Sequence, residues 1–413
     1  MVSKPTALAG GSYLAPGSEA GRRASLRLLW VSTKAPWPPR DGGRLLQLET
    51  LRLLAESAGE VEVELVAPVP RGELAATAHA LEGLCLPRLV AAQPRPLPLA
   101  ALLSAARRVP VTAVRHELPA VGRAVARAAA GGAFDVVHAE QAQSMPQALA
   151  AGLPVVLRAQ NVESELWRAG LGARGWAWLA RREGSVLARW EGAMMRRATR
   201  TVALSEHDAT ALRALAPEAG VEVQPVPFPA ELPPGPPLPG EPAITLLVGA
   251  GWRPNREGAE AFLASTWPRV FAAVPAARLH IFGEATGPGK GVTWHEAPDD
   301  PAAAFAEGAI LVVPLAVASG VRVKILEAWA RGLPVVATHA AAAGLGANAG
   351  EQLFVAAQGE PLAGALIELC RDSALRERMA RAGRDLLRRR HHPQEARRRL
   401  LACYADAAAS PRS

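Results

Sequence analysis

The stretch SGVRVKILEAWARGLPVVAT, residues 319–338, decides the fold. Its first half has the apolar spacing of a helix, and Gly-Leu-Pro then leads into a short apolar run typical of a buried strand. Outward from this stretch, apolar strand-like runs alternate with helical segments in both directions along the chain. Such alternation predicts an α/β fold with parallel sheets, in which ligands collect beyond the carboxyl ends of the strands.

The alternating pattern is interrupted once, between residues 225 and 242, where the sequence holds nine prolines. Proline excludes a central strand or a helix interior there, so the segment is predicted to be a semi-rigid linker. A chain of 413 residues also favours two domains. The predicted parts are a flexible tail (1–25), a first Rossmann-like domain (26–224), the linker (225–242), a second Rossmann-like domain (243–385), and a C-terminal helix with its tail (386–413).

The composition limits the classes of protein only broadly. A net charge of +8 would allow an acidic partner, but Lys occupies just four positions, and a genome-wide preference for Arg explains the charge equally well. Cys85, Cys370 and Cys403 are too far apart to indicate a disulfide framework or a zinc site, so a reducing, cytosolic setting is expected. No signal peptide, membrane span or nucleic-acid reader motif is predicted.

The entrance of the helix near residue 322 has the properties of an anion site. Arg322 falls in the first turn, where unpaired N–H groups and the helix dipole already favour negative charge. Lys324 adds a second cation close by. Ser319 and Gly320 are small, so a ligand can approach the main chain. We expect a diphosphate to bind the backbone amides together with Arg322 and Lys324.

Glu327 lies one turn deeper on the same helix. At about 100° per residue, Lys324, Glu327 and Arg331 share one polar stripe. The two oxygens of a carboxylate suit two adjacent sugar hydroxyls, which makes Glu327 a candidate for ribose binding. The alternative is a solvated stripe in which Lys324 and Glu327 form an ordinary surface ion pair.

A second candidate phosphate site follows the first strand, in PWPPRDGGR, residues 36–44. Gly42 and Gly43 can direct main-chain N–H groups toward a phosphate at the start of the next helix. A Gly-Gly pair is also common in ordinary turns. Arg44 is placed to serve either the donor phosphate or the acceptor.

The 319–338 stretch resembles the donor-binding segment of retaining family 4 glycosyltransferases of the GT-B fold, in particular a bacterial sugar-transferase subgroup. That segment reads Glu, seven residues, Glu, then an Ala-rich helix and Gly-x-Pro-Val-Val. The second Glu falls on Glu327, and the resemblance assigns it to the ribose hydroxyls of a nucleotide-sugar. The first Glu falls on Ser319, so contacts to the donor sugar are expected to shift to amides around Gly320 and Val321.

The start of the second domain is similar to the family as well. In the family an Arg and a Lys there clamp the diphosphate. Arg253 and Arg256 lie nearby, but Glu257 stands where Lys is expected, so Arg322 and Lys324 should carry more of the phosphate charge. The segment 292–300 corresponds to the one that holds the base, which makes His295 and Glu296 candidates, with an ordinary loop role as the alternative.

The first domain departs from the family at one informative position. Family members often carry a His where this chain has Glu140. Glu140 is expected to receive a sugar hydroxyl or the acceptor's proton, or else to cap a helix start. His138 shares its strand face, with a structural role as the alternative. Asn161 and Glu163 resemble part of the HNVES segment of the subgroup and are expected on the acceptor side.

The resemblance implies transfer of a sugar from a nucleotide-sugar to a hydroxyl of a glycan or lipid-linked acceptor, with retention. No metal or other cofactor is expected, because fixed positive charge can replace a metal and the cleft segments contain no Asp-x-Asp signature. Arg322, Lys324 and Glu140 are the candidate catalytic residues. Biosynthesis of exopolysaccharide or of a bacterial cell-envelope glycan is the expected setting. Two alternatives remain open: a nucleotide-sugar epimerase of the same fold, and a catalytically degenerate subunit that binds the sugar-nucleotide.

Membrane contact is a further expectation. Residues 173–200 combine Trp176, Trp178 and Trp190 with many Arg residues, and the C-terminal segment is also rich in Arg. Such helices either touch anionic lipid or cover apolar surface with their Arg stems. The expected location is the cytoplasm, with peripheral attachment to the inner face of the plasma membrane as an addition.

Overall fold

A computed structural model describes residues 25–57, 59–170, 177–249, 253–283, 289–298 and 301–410. Trp176, the side chain of Trp178 and almost all of the predicted tail lie outside this description. The predicted linker and both predicted Rossmann-like domains fall within it, apart from the short gaps.

Strands in the described residues are parallel to their neighbours and build two sheets. Their bounds are β1 Leu26–Ser32, β2 Val61–Val69, β3 Leu86–Ala91, β4 Val136–Glu140, β5 Val155–Ala159, β6 Arg200–Ala203, β7 Val221–Val223, β8 Ala243–Val248, β9 Arg278–Gly283, β10 Val292–His295, β11 Ile310–Val313, β12 Val335–Ala337 and β13 Phe354–Val355.

Helices connect most of the successive strands, as parallel pairing requires. Their bounds are α1 Gly42–Ala55, α2 Leu74–Ala80, α3 Leu97–Arg107, α4 Val111–His116, α5 Pro119–Gly131, α6 Met145–Ala148, α7 Glu163–Gly170, α8 Ala177–Arg197, α9 Glu206–Leu215, α10 Arg253–Ser265, α11 Trp267–Ala273, α12 Val323–Ala330, α13 His339–Ala342, α14 Glu360–Arg371, α15 Ser373–Arg390 and α16 Pro393–Ala409.

Both sheets have the doubly wound order of a Rossmann-like domain. The first runs β3-β2-β1-β4-β5-β6-β7 and the second β10-β9-β8-β11-β12-β13. The order reverses between β1 and β4 in the first sheet and between β8 and β11 in the second. Ligand crevices in such sheets open at these switch points. The predicted α/β architecture of two Rossmann-like domains is confirmed.

Two segments cross from one sheet to the other. In the proline-rich linker, the N–H of Leu232 donates to the carbonyl of Ala330 (3.0 Å), so this part packs against the second domain. The division predicted at residue 385 lies inside α15, which belongs with the second domain and ends at Arg390. Helix α16 then returns to the first domain, where Leu400 and Tyr404 enter its core. The chain therefore spans the cleft in two places.

The strands are continuous apolar runs in the sequence because both faces of each sheet are buried. Each sheet is covered on both faces, so side chains on either face of β1, β4 and β11 are buried. None of the helices in the described part of the chain combines the length and the apolar character needed to cross a bilayer.

Candidate functional site

Arg322 sits at the start of α12, as the residue that precedes its first turn. Its side chain is 7% exposed, and among the described residues the guanidinium atoms Nη1 and Nη2 have no hydrogen-bond partner. Burial lowers the pKa of Arg322 to about 10, although the charge of Asp208 opposes the shift. A buried guanidinium without a hydrogen-bond partner lowers the stability of the folded protein. Binding of an anion to Arg322 would remove this penalty.

Lys324 provides a second cation at the same place. Its ammonium donates to two neutral acceptors, the carbonyl of Leu247 at the end of β8 (3.0 Å) and Oδ1 of Asn255 in α10 (3.4 Å). Burial and the neighbouring charge of Arg322 lower the pKa of Lys324 to about 8. Two desolvated cations therefore lie together at the switch point of the second sheet. This arrangement favours binding of a polyvalent anion.

Glu327 does not pair with Lys324. Its Oε1 accepts from Nη2 of Arg331 (2.9 Å) and from Nε of the same residue (3.2 Å), and Glu327 is 5% exposed. Arg331 also donates to the carbonyl of Pro233 in the linker and covers the ring of Phe305. The polar stripe predicted from the sequence is thus a buried ion pair rather than a solvated face.

The glycine loop of the first domain faces the beginning of α12. Asp41 caps α1 by accepting from the N–H of Arg44 (2.9 Å), and a Cβ added at Gly42 would lie 3.6 Å from Cγ2 of Val323. The start of α1, with Gly42 and Gly43, therefore lies opposite Arg322 and Lys324. The side chain of Arg44 donates to the carbonyls of Ala35 (2.9 Å) and Trp37 (3.3 Å), so it braces its own loop instead of facing an acceptor.

The segment that precedes α12 contacts the first domain directly. The hydroxyl of Ser319 accepts from the N–H of Val162 (2.9 Å) and lies 3.4 Å from Oδ1 of Asp208. The same Asp208 oxygen accepts from the N–H of Gly320 (3.1 Å). The Gly320 amide, predicted to contact the donor sugar, thus bonds to a protein carboxylate here. Ser319 and Gly320 connect the two domains.

The predicted acceptor-side residues Asn161 and Glu163 lie beside this junction. With its amide oriented to satisfy both neighbours, Asn161 donates to the carbonyls of Gln160 and Ser319, each at 3.0 Å. Burial raises the pKa of Glu163 despite hydrogen bonds to Asn161 and Gln143. Asn161 therefore bridges the domains, whereas Glu163 is a half-buried carboxyl at the edge of the cleft. Its acceptor role stays a prediction.

Glu140, predicted as a catalytic residue, lies inside the first domain. It is fully buried, and its carboxylate accepts from Arg158 (2.5–3.1 Å), from Gln160 (2.9 Å) and from Nε2 of His138 (3.0 Å). Burial alone would raise the pKa of Glu140, but Arg158 and His138 lower it to about 2. With every oxygen engaged, Glu140 has no free geometry for a sugar hydroxyl or a proton. Its hydrogen bond holds Gln160, which also donates to the carbonyl of Gly43 (3.1 Å).

His138 is likewise a core residue and not an acceptor contact. Its ring stacks on Trp30 and bonds through Nδ1 to the hydroxyl of Tyr404 in α16 (2.8 Å). Burial lowers the pKa of His138 to about 4, so it is neutral at physiological pH. The structural role given as the alternative for His138 agrees with these contacts, but its partner Tyr404 could not be predicted, because α16 arrives from the far end of the chain.

The Glu140–Arg158 pair predicts an asymmetry in stability. Arg158→Met strands a buried carboxylate and should lower the free energy of unfolding by about 3–5 kcal/mol. Arg381→Met, which breaks the surface pair with Glu377 (3.6 Å) in which the two side chains are 66% and 69% exposed, should cost under about 1 kcal/mol. Because the folded pKa of Glu140 is depressed from 4.5, its contribution is present above pH 4.5 and lost as pH falls toward 2. Urea unfolding at pH 7 and pH 3 measures both effects, and equal losses in the two variants would contradict the assignment.

The other basic residues predicted for the diphosphate are already paired. Arg253 donates to Glu257 (2.5 Å) and Arg256 lies 3.8 Å from Glu260, both within α10 and both well exposed. Their charges are neutralised by their own helix. Of the four basic residues predicted for the diphosphate, Arg322 and Lys324 are the two without a carboxylate partner among the described residues.

His295, the candidate for base binding, lies at the end of β10. Its ring stacks on Phe282 at 4.3 Å and bonds to Nδ1 of His280 (2.9 Å), which in turn bonds to the carbonyl of Pro239 in the linker (2.8 Å). Burial lowers the pKa of His295. The pair of rings couples this edge of the second sheet to the linker, and a base contact of His295 stays a prediction.

Asp208 and Gln160 are functional candidates that the sequence alone did not single out. Asp208 occupies the third position after Ser205, whose hydroxyl caps α9 by accepting from the Asp208 N–H (3.1 Å). This spacing identifies a capping motif. It gives no sign that the Asp208 side chain reaches a loop more than a hundred residues away in the other domain.

Comparisons with known proteins agree with this geometry. Residues 242–372 match the family model described as Glycosyl transferases group 1. No curated protein matches the chain. Among solved structures, the chain resembles sucrose-phosphate synthase from Thermosynechococcus elongatus at 16% identity, with a TM-score of 0.70 over 93% of this chain and 100% of that one.

Two further structures show the same likeness. Anabaena HepE in complex with UDP-glucose is 14% identical, with a TM-score of 0.59 over 92% of this chain and 100% of that one. WaaG, a glycosyltransferase involved in lipopolysaccharide biosynthesis, is 15% identical, with a TM-score of 0.55 over 89% and 98%. These similarities show the GT-B fold. The family match makes residues 242–372 a glycosyltransferase domain, and the chain is a transferase enzyme.

Proposed function

We propose that this enzyme transfers a sugar from a nucleoside-diphosphate donor to a hydroxyl of a glycan or lipid-linked acceptor, with retention and without a metal. The observation that carries the proposal is a pair of cations, the buried Arg322 and the half-buried Lys324, opposite the glycine loop at the cleft. Because HepE is solved with UDP-glucose, that nucleotide-sugar is the first donor to test.

The chemistry follows from the charge distribution. When the bond between the anomeric carbon and the diphosphate breaks, negative charge develops on the departing phosphate oxygen. The donors proposed to face this oxygen are Arg322, Lys324 and the N–H groups of Gly42 and Gly43. They would stabilise the negative charge as it forms. Fixed cations of this kind can serve in place of a metal ion, which is why the proposal includes none.

Retention is proposed from the resemblance to the retaining family. The route proposed is attack on the same face, because among the described residues no carboxylate is placed for a covalent double displacement. Glu140 is saturated by its own hydrogen bonds, and burial raises the pKa of Glu163, which disfavours its charged, nucleophilic form. The acceptor hydroxyl would attack on the face from which the diphosphate leaves. Its proton would pass to the departing phosphate oxygen, so that one C–O bond breaks, one forms, and the proton ends on the nucleotide.

Closure of the domains completes the site. The Ser319–Gly320 segment reaches the first domain only when the two sheets face each other across a narrow cleft. Water is excluded in that state, which favours transfer over hydrolysis of the donor. We place the enzyme in the cytoplasm of a bacterium, at the inner face of the membrane, acting in exopolysaccharide or cell-envelope glycan synthesis.

Glu327 provides the test of nucleotide recognition. Glu327→Gln should lower the affinity for UDP by roughly 10- to 100-fold while leaving the affinity for inorganic pyrophosphate unchanged, because the carboxylate is assigned to ribose and not to phosphate. Arg331→Met disrupts the same ion pair but keeps the carboxylate. It should lower stability, since Arg331 is buried, and change UDP affinity less than Glu327→Gln does.

Calorimetry with UDP and with pyrophosphate measures both affinities. A Glu327→Gln variant that binds UDP like the wild type would contradict the assignment of Glu327 to the ribose hydroxyls. Incubation with nucleotide-sugars, with and without cell-derived acceptors, then separates the activities. Acceptor-dependent nucleotide release supports transfer, conversion of the donor sugar without release supports an epimerase, and binding without turnover supports a degenerate subunit.

A further inference from the structure

Asp208 places a buried negative charge beside the cations of the candidate donor site. It lies in the first turn of α9 and is 1% exposed. Its Oδ1 accepts from the N–H of Gly320 (3.1 Å) and lies 3.4 Å from the hydroxyl of Ser319, and its Oδ2 accepts from the hydroxyl of Ser205. The carboxylate therefore belongs to the first domain but contacts the loop that leads to Arg322 in the second.

The hydrogen bonds that Asp208 makes in the described part of the chain come from neutral donors. These bonds and the start of α9 stabilise its negative charge without an ion pair. Burial lowers the pKa of Arg322 and the charge of Asp208 opposes that shift, so the two groups lie within electrostatic range. Nη1 and Nη2 of Arg322 nevertheless donate to no described residue. Asp208 thus attracts Arg322 through space and leaves its donors available to a ligand.

The charge of Asp208 is not needed for its hydrogen bonds. A neutral amide oxygen could accept from the Gly320 N–H equally well. An anion bound at the start of α12, however, would lie close to the carboxylate, only a short loop away from Arg322. Repulsion between like charges at such a site changes an affinity by about tenfold, at the effective dielectric constant near a protein surface. Asp208 therefore weakens the binding of a diphosphate, and the effect grows with the charge of the ligand.

The charge of the nucleotide changes during sugar transfer. In a nucleoside-diphosphate sugar the terminal phosphate is esterified, so the donor carries about two negative charges, whereas the product gains a free terminal phosphate and carries about three at neutral pH, after that phosphate releases its proton. Repulsion from Asp208 is consequently larger for the product than for the donor. A fixed carboxylate at this place discriminates between the two ligands by charge alone.

We propose that Asp208 positions the 319–322 loop across the cleft and, through its charge, promotes release of the nucleoside diphosphate after transfer. The identity of the ligand rests on the proposed function, but the repulsion applies to any polyphosphate bound there. Asp208 is a positioning residue, because it acts through the Gly320 N–H and through Arg322 and not on the reacting atoms. Weaker binding of the product appears mainly as faster dissociation.

Asp208→Asn tests the charge, because the amide keeps Oδ1 for the Gly320 N–H and its nitrogen can donate to the hydroxyl of Ser205. Calorimetry with the full chain should show UDP binding about tenfold more tightly and UDP-glucose about threefold more tightly than in the wild type. The ratio of the two affinities then shifts toward the product by about threefold. In transfer assays with cell-derived acceptors, added UDP should inhibit this variant about tenfold more strongly.

Asp208→Ala tests the positioning, because it also removes the hydrogen bond to Gly320. At saturating donor it should transfer sugar about tenfold more slowly than Asp208→Asn, since the loop loses its anchor in the first domain. Asp208→Ser, which keeps a short neutral acceptor, repeats the charge test if the Asn variant does not fold. Equal transfer rates in the Asn and Ala variants would overturn the positioning role.

Glu206→Gln is the matched control for the charge. It removes one negative charge from the same turn of α9, where the Glu206 side chain is 76% exposed, and it should change the affinities for UDP, UDP-glucose and pyrophosphate by less than about twofold. Unchanged or weaker UDP binding in Asp208→Asn, equal tightening of UDP and UDP-glucose, or an equal effect of Glu206→Gln would overturn the release role.

Pyrophosphate separates this inference from the proposed function. It should bind the wild type, and it should bind Asp208→Asn about tenfold more tightly. If pyrophosphate behaves in this way while UDP fails to bind the wild type, the nucleotide donor is wrong and the repulsion by Asp208 at an anion site stands. If UDP binds the wild type and neither ligand binds Asp208→Asn more tightly, the donor site stands and the role of Asp208 is wrong.

Discussion

Replacing Lys324 with Met should make the ligand-free protein more stable and at the same time remove most of its affinity for a nucleoside diphosphate. The gain in stability and the loss of affinity have the same cause. Lys324 is a half-buried cation next to Arg322, with two neutral hydrogen-bond partners and no carboxylate among the described contacts. Its charge lowers stability until an anion arrives.

The expected sizes follow from the pKa of Lys324, which burial and Arg322 lower from 10.5 to about 8. Removing the charge should raise the free energy of unfolding by about 1–3 kcal/mol at pH 7. The affinity for UDP and for pyrophosphate should fall by roughly 100-fold or more, because a buried charge-assisted contact to the diphosphate is lost. Urea unfolding and calorimetry measure the two effects separately.

The pH dependence provides an independent check. Between pH 8 and pH 10.5 the unfolded chain holds the Lys324 proton more tightly than the folded chain, so wild-type stability should rise with pH across this window. Over the same window the affinity for pyrophosphate should fall, since the bound state needs the charged amine. Lys324→Met should show neither the rise nor the fall.

Lys290→Met serves as the control, because Lys290 is exposed in the second domain. It should change neither stability nor pyrophosphate affinity by more than a few tenths of a kcal/mol. A Lys324→Met protein that is less stable than the wild type and still binds pyrophosphate normally would show that this side chain only supports the fold.

The part of this site that the sequence predicted depends on local rules. The α12 helix, the cations at its start and the glycine loop before α1 all follow from spacing within about twenty residues. Periodicity also predicted the two sheets and the proline-rich crossing between them. These features are local because helix faces and strand ends are set by neighbouring residues.

What the sequence could not show depends on distant partners. Glu140 looked like a cleft residue because it ends a strand, and only Arg158 on the neighbouring strand reveals that it is neutralised and buried. Arg331 was expected only as one member of a polar stripe, yet it pairs with Glu327 and donates to the carbonyl of Pro233 in the linker. Asp208 looked like part of a helix cap, although its carboxylate crosses to Gly320. In each case the sequence suggested the wrong surroundings for a charged side chain. The true partner is either far away in the sequence or a different neighbour from the expected one.

Gly320→Ala should abolish transfer while leaving both domains folded. Gly320 has φ of +73°, and a Cβ there would overlap the carbonyl oxygen of Gln160 and the side chain of Asn161 in the first domain. The Ala variant therefore has a strained backbone. Its added methyl group also pushes the domains apart at the point where Asp208 accepts a hydrogen bond from the Gly320 N–H. We expect a loss of activity of at least about 100-fold, because small displacements of reacting groups have effects of this size.

Gly350→Ala is the matched control for the strain alone. Gly350 has φ of +83°, and no atom lies within 4 Å of a Cβ added there. Both variants should lose about 1 kcal/mol or more of stability from the left-handed backbone, but only Gly320→Ala should lose activity. Pyrophosphate binding should persist in Gly320→Ala, since Arg322 and Lys324 belong to the second domain. Equal activity in the two variants would mean that the contact between Gly320 and the first domain is not needed for catalysis, and the cleft would then have to close in a different way.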